Sequence, residues 1–332
     1  MAVMRGARIK VDAEEGEAVY HVMSSTVNGE RLFDDIAKEM LRKQLWQIAE
    51  YCGVQILTYA VMSNHFHVLL RVPQKTEISD HELLRRYAIL YPKPTKYQVA
   101  RVDALTAQLK DPEDADAAAW RERQLALMGD VSQFMKLVKQ RFSVWYNRSH
   151  GRYGTLWAER FKSVLVEGCS RVSAAMAAYI DLNAVRAGLV EDPKDYRFCG
   201  YSEAVAGGNV ARIGLSYVME AKTWRKAQGG YRQMLFGRGS GPQTKGRELP
   251  VEKFKEVVKA KGELPLTAVL RCRVRYFSDG AVLGSQAFVQ KHLKLYQLHS
   301  GRRKRTAPRP MPAVESLGEI ATLRGLRKAA FG

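Results

Sequence analysis

Two histidines one residue apart are the side chains of this chain best placed to do chemistry. They are His65 and His67, in the run Val61-Met62-Ser63-Asn64-His65-Phe66-His67-Val68-Leu69-Leu70. The surrounding run is apolar and strand-like, and side chains on a strand alternate between its two faces. His65 and His67 therefore share a face, and Phe66 takes the other. One face can hold a metal ion while the other packs into a core, because imidazole is a habitual metal ligand. A pair of satisfied core histidines fits the same pattern, although burying both without partners is costly.

A second constellation lies in Ala178-Tyr179-Ile180-Asp181-Leu182-Asn183-Ala184-Val185-Arg186-Ala187-Gly188-Leu189-Val190. Tyr179 and Asn183 are four residues apart, so on a helix they share a face one turn apart. A phenol beside an amide oxygen suits a nucleophile next to a metal ligand. Tyr179 also suits an ordinary aromatic on the packing face of an amphipathic helix.

Positioning these groups requires a scaffold, and the hydrophobic periodicity indicates one. Tyr20 to Val27 is expected as a strand ending at Asn28-Gly29. Phe33 to Tyr51 has helical spacing at Phe33, Ile36, Met40 and Ile48. Val54 to Met62 and His65 to Val72 read as an antiparallel pair of strands, stopped by Pro73. Residues 74–130 contain Tyr91-Pro92-Lys93-Pro94 and an acidic, alanine-rich stretch from Asp111 to Ala119, and are expected as an insertion of short helices. Val131 to Asn147 is an amphipathic helix, Phe161 to Glu167 a fourth strand, and Ser170 opens a helix to about Ala187 with Gly188 as its stop. The order β-α-β-β-α-β predicts an α+β fold: a ferredoxin-like antiparallel palm with helices on one face.

Charge divides the chain. Residues 1–205 carry 28 Lys and Arg against 26 Asp and Glu, whereas residues 206–332 carry 25 against 8. The expected division is thus a catalytic region over 1–205 and a basic, mostly helical C-terminal region over 206–332. Segments 251–261, 267–276 and 286–298 are its expected helices, and the run Ser300 to Pro310 holds Arg302, Arg303, Lys304 and Arg305. Such asymmetry points to a polyanion partner, with nucleic acid foremost. A merely basic, soluble tail is the other reading. Deleting 206–332 is then expected to weaken DNA binding and flatten its salt dependence.

Several classes are disfavoured. No apolar run approaches the roughly 20 residues of a membrane span, and the N-terminus has no apolar signal core, so a cytoplasmic protein without a membrane partner is expected. Cys52, Cys169, Cys199 and Cys272 form no C-x-x-C pair, so reduced structural thiols are expected. Gly237-Arg238-Gly239-Ser240-Gly241-Pro242 superficially suggests a phosphate loop, but Lys245 follows Thr244 and no strand precedes it. No nucleotide cofactor is expected.

Asn64-His65-Phe66-His67, followed by the block from Tyr179 to Val190, resembles the single-tyrosine HUH transposases. The REP-associated tyrosine transposases, relatives of small insertion-sequence transposases, are the most similar branch. Gly154 to Ser163 is similar to the segment that precedes this family's last strand, and the resemblance spans about residues 17–202. It implies that His65, His67 and Asn183 hold Mg²⁺ or Mn²⁺, and that Tyr179 is the nucleophile. The implied reaction is attack on a phosphodiester of single-stranded, hairpin-containing DNA, giving a 5′-phosphotyrosine and a free 3′-hydroxyl, often in a homodimer. Ala184 stands where the family has proline after the asparagine, so the helix is expected to run smoothly past that point.

Arg141, Arg148, Arg152, Arg160, Lys162 and Arg186 lie near these segments and are candidate phosphate contacts, together with Arg302, Arg303, Lys304 and Arg305. Trp145, Tyr146, Tyr153 and Trp157 lie among the first group and could stack on unpaired bases, although core packing is favoured for Trp157. Two other functions fit less well. A replication or mobilisation nickase of HUH type would often carry a second tyrosine or a helicase. A domesticated, non-catalytic DNA-binding protein would have no need of an intact Tyr179.

Overall fold

The computed structural model describes residues 9–168, 170–236, 266–271, 275–300, 308–310 and 320–323. Strand β1 spans Ala18–Ser25 and is followed by helix α1, Asp35–Cys52, whose Asp34 side chain caps the Ala37 amide. Strands β2, Gln55–Val61, and β3, His65–Val72, form the expected hairpin. Three short helices then make up the insertion: α2, Asp80–Ile89; α3, Lys96–Gln108; and α4, Ala115–Leu125. They close on a small core of their own around Leu83, Leu105 and Trp120. Helix α5, Val131–Ser149, and strand β4, Lys162–Val166, complete the β-α-β-β-α-β sequence.

The sheet begins β2-β3-β1-β4, each neighbour antiparallel, which is the expected ferredoxin-like α+β order. Helices α1 and α5 pack together on one face. There Phe33 meets Phe142 at 5.3 Å and 87° between rings, and Phe66 meets Trp157 at 5.6 Å and 73°. These edge-to-face contacts suit the ring quadrupoles. Trp157 is buried and donates to Ser143 Oγ at 2.8 Å, so it belongs to the core.

The opposite face is covered as well. Helix α6, Ser170–Asp181, lies over β2 and β3. It does not continue unbroken past the asparagine, which corrects that expectation. Leu182, with φ −77° and ψ 4°, separates it from α7, Asn183–Arg186. Gly188 then ends the segment at φ +67°, a left-handed conformation that glycine adopts without a Cβ clash. Helices α8, Gly200–Val205, α9, Asn209–Val218, and α10, Trp224–Phe236, follow. Leu215 and Tyr231 join the main core, so packing continues past residue 205.

The C-terminal region also adds strands that the sequence did not reveal. Strand β5, Val282–Ser285, pairs parallel to β4, and β6, Arg309–Pro310, and β7, Ile320–Thr322, extend the sheet to seven strands in the order β2-β3-β1-β4-β5-β7-β6. Helices occupy Leu266–Arg271, Arg275–Asp279 and Gln286–Ser300. The expected helix over 251–261 and the residues Arg302, Arg303, Lys304 and Arg305 lie outside the described residues. Deleting 206–332 would strip these elements from the sheet and core, so substitution of charges is the better probe of that region. Among the described residues, no helix is long and apolar enough to cross a membrane.

Helix α9 approaches β2 so closely that Gly214 has no room for a side chain. A Cβ there would lie 2.5 Å from the Leu57 carbonyl oxygen and 2.8 Å from its Cα. Backbone cannot swing aside as a side-chain end can. Gly214→Ala should therefore destabilise the fold by about 1–3 kcal/mol, the usual cost of overpacking, measured by urea unfolding. An unchanged midpoint would show that α9 is not held against β2.

Candidate active site

Residues β1 to β3 build the floor of the site. In the β1–β3 register Met23 pairs with His67 and His21 with Leu69, so His21, Met23, His65 and His67 all face α6. The His65 and His67 rings are 5.1 Å apart between centroids. Tyr179, on α6, stands over them: its ring centroid is 6.5 Å from that of His67 and 6.4 Å from that of His21. The structure thus brings Tyr179 to the two-histidine face.

The hydrogen bonds determine the tautomer of each imidazole. Asn64 donates from Nδ2 to the Gly29 carbonyl at 3.0 Å, which turns its Oδ1 toward His65 Nδ1 at 2.7 Å. Amide oxygen only accepts, so His65 carries its proton on Nδ1 and its lone pair on Nε2. His67 Nδ1 lies 2.8 Å from His21 Nε2, and His21 Nδ1 lies 2.7 Å from the Phe277 carbonyl. A carbonyl oxygen also only accepts, so His21 carries its proton on Nδ1. Burial pushes its pKa down to about 4, outweighing the carbonyl bond that raises it. Neutral His21 therefore accepts from His67 Nδ1–H, and the His67 lone pair also lies on Nε2.

This donor set fits a divalent cation in its chemistry, with two imidazoles on one face, each hydrogen-bonded through Nδ1 so that Nε2 is the nitrogen left to ligate. Among the described residues, no three His, Cys, Asp or Glu side chains are grouped to hold a metal. His21 does not add a third ligand, because its Nε2 faces His67 Nδ1. Asn183 donates from Nδ2 to the Ile180 carbonyl at 3.0 Å, a bond that ties its amide nitrogen to α6 and does not use Oδ1, the atom that would ligate a cation. The structure therefore brings His65, His67 and Tyr179 together, with Asn183 one helical turn beyond Tyr179.

Tyr179 is only 3% exposed. Phe277 packs against its ring at 4.9 Å, and the Arg186 guanidinium carbon lies 4.0 Å from its centroid. Arg186 also donates to the Tyr179 carbonyl at 2.7 Å and to the Leu270 carbonyl at 2.9 Å. Sequence reasoning missed His21 and Phe277. The signal for His21 was present: it is a histidine in the apolar strand that this fold order places beside the one bearing His65 and His67. Phe277 had no such signal.

The remaining candidates disperse. Arg141, on α5 across the sheet from Tyr179, donates to the Leu90 carbonyl at 2.7 Å and stacks on Tyr91. Arg148 and Arg160 are exposed. Arg152 lies 3.6 Å from Glu30, and Lys162 lies 3.3 Å from Asp279. Of the aromatics, Tyr153 is exposed at 94%, Tyr146 is buried and Trp145 half-buried.

Beneath the site, Asp181 pins α6 in place. It is fully buried and accepts from Thr58 Oγ1 at 2.8 Å, from the Tyr201 amide at 3.2 Å and from the Tyr231 hydroxyl. Those bonds tie α6 to β2, α8 and α10.

Residues 16–86 match the family model described as "Transposase IS200 like". No curated protein matches the chain. A solved structure described as "Structure of the REP associates tyrosine transposase bound to a REP hairpin" is similar over 63% of this chain and 87% of its own, at 15% identity and a TM-score of 0.38.

Burial pushes the Asp181 carboxyl up to about 7, despite its three hydrogen bonds. Because the folded value exceeds the ordinary 3.8, the fold favours the protonated acid. That preference carries no cost below about pH 4, and stability is lost as pH rises toward 7, by at most about 1.4 kcal/mol per pH unit. Stability measured by urea unfolding should fall from pH 5 to pH 8 more steeply for wild type than for Asp181→Asn. Equal slopes would show that this carboxyl does not titrate in the window.

Proposed function

Residues 16–86 match the family model described as "Transposase IS200 like", and from that premise we propose that the chain is a DNA strand-transfer enzyme whose nucleophile is Tyr179. The observation that carries this reading is the Tyr179 ring standing 6.5 Å from His67, on the face His67 shares with His65. His65, His67 and Asn183 would hold Mg²⁺ or Mn²⁺. When bound, such an ion offsets charge on the phosphate oxygens and orients the target.

The chain's own groups do the rest. The Tyr179 phenol oxygen forms a bond to phosphorus as the bond from phosphorus to the 3′ oxygen breaks. The 3′ oxygen departs as a hydroxyl, and the 5′ phosphate stays on the tyrosine. The phosphoester retained on the enzyme lets the strand be rejoined without ATP. Arg186 holds the phenol ring from one side by its stacked guanidinium and by its bond to the Tyr179 carbonyl. With Tyr179 only 3% exposed, the cover formed by Phe277 has to shift before a phosphodiester reaches the hydroxyl. Single-stranded DNA with hairpin features is the substrate that the resemblance of the Asn64–His67 and Tyr179–Val190 blocks supports. Tyr153, exposed beside Arg152, offers a surface on which an unpaired base can stack.

That same burial of Tyr179 is the observation favouring a non-catalytic DNA-binding protein. Incubating the protein with 3′-labelled single-stranded hairpin DNA and Mn²⁺ separates the two readings. Wild type should give a denaturant-resistant protein–DNA adduct, and Tyr179→Phe should give none. If wild type yields no adduct on any hairpin tested, the binding-protein reading stands instead.

The C-terminal charge has its own test. Replacing Arg302, Arg303, Lys304 and Arg305 by alanine should reduce the slope of log affinity against log salt by about 3, since each phosphate contact on a single strand contributes about 0.7. An unchanged slope would place that run off the DNA path.

A further inference from the structure

Histidine 21 is fully buried in β1 and belongs to neither the proposed ligand set nor the nucleophile. A buried imidazole needs partners for both nitrogens, because an unpaired polar group away from water is costly. His21 has them: the Phe277 carbonyl at 2.7 Å on Nδ1 and His67 Nδ1 at 2.8 Å on Nε2, with the two imidazoles edge to edge, their centroids 5.0 Å apart and their planes within 22°. For neutral imidazoles the chain of bonds has only one consistent polarity. The carbonyl can only accept, so His21 donates to it from Nδ1. His21 Nε2 then accepts, and His67 must donate from Nδ1. That leaves the His67 lone pair on Nε2.

We propose that His21 is a positioning residue: it locks His67 in the tautomer that presents Nε2 to a divalent cation, and the Phe277 carbonyl sets the tautomer of His21 in turn. This rests on the reading of His65 and His67 as cation ligands. Partners of this kind behind a ligating histidine fix its ring orientation and raise its basicity, and their loss typically costs about 10–100-fold in metal affinity. Because Phe277 lies in the helix Arg275–Asp279, the C-terminal region takes part in preparing the site while Tyr179 is still covered. The cation site is thus organised before DNA enters.

The test uses the full chain without DNA. Long-range ¹⁵N–¹H spectra at pH 7.5 report which nitrogen of His67 is protonated. In wild type, Nδ1 should be pyrrole-like and Nε2 pyridine-like. His21→Leu should populate both tautomers and weaken Mn²⁺ binding, followed by electron paramagnetic resonance, about 10–100-fold. His21→Gln, whose amide can donate to Phe277 and accept from His67, should restore both readouts to near the wild-type values. Thermal midpoints of the three proteins separate this from unfolding, and the His21→Gln comparison decides the matter if His21→Leu does not fold.

Finding His67 protonated on Nε2 in wild type would overturn the proposal. So would equal Mn²⁺ affinity in wild type and His21→Leu, or in His21→Gln a loss of affinity as large as in a His67→Ala control. Wild type that binds no Mn²⁺ would remove the cation reading itself and the role of His21 with it. By contrast, Mn²⁺ binding lost in His67→Ala but unchanged in His21→Leu would leave the cation reading standing and overturn this inference alone.

Discussion

The register between β1 and β3 is the constraint on which the site depends. Met23 opposite His67 and His21 opposite Leu69 put three imidazoles on one face and Phe66 on the other. Side chains repeat every two residues along a strand, so a slip of one residue would exchange the faces. His65 and His67 would then press into the aromatic core of Phe33, Phe142 and Trp157, and Phe66 would point at Tyr179. The apolar packing of Phe66 against Trp157 therefore positions the histidines as effectively as any contact they make themselves. A hydrophobic preference on one face becomes a chemical arrangement on the other.

The second requirement is a rigid helix above that face. Tyr179 and Asp181 are two residues apart on α6, so they project about 200° apart around it. One side carries the phenol toward the histidines, and the other buries a carboxyl among Thr58, Tyr201 and Tyr231. Burying a carboxyl costs stability, visible in its pKa displaced to about 7. What the fold gains is direction: a carboxyl with three partners on β2, α8 and α10 fixes the rotation of α6 about its axis. An apolar residue at 181 would bury more cheaply but would constrain rotation less, because dispersion contacts have little directionality.

Much of this was legible from residue spacing. The palm strands and the α1 and α5 helices follow period-2 and period-3.6 patterns, because each buries one face or stripe against a common core. Even the boundaries of β3, His65 to Val72, can be read from Pro73 and the turn at Ser63-Asn64. The break at Leu182 could not be read, because nothing in Leu182-Asn183-Ala184 is a helix breaker. Strands β5, β6 and β7 escaped for another reason. They are two to four residues long, too short for alternation to register, and exist only because β4 offers an edge. His21 was within reach, but a lone histidine in a strand carries little signal until the strand order places it beside His67.

That unpaired edge of β4 explains how the C-terminal region comes to matter at the site. In a four-stranded palm, β4 would present a row of unsatisfied backbone groups. Pairing with β5 satisfies part of that row, including the Leu165 and Glu167 amides, and, because β5 runs parallel to β4, the chain has to arrive from the end where β4 begins, beside Lys162. The helix Arg275–Asp279 is that approach. It crosses the histidine face on the way, leaving Asp279 beside Lys162, the Phe277 carbonyl on His21 and the Phe277 ring on Tyr179. The cover over the nucleophile and the hydrogen bond behind His67 thus both follow from one topological fact, the direction in which the added strand joins the sheet.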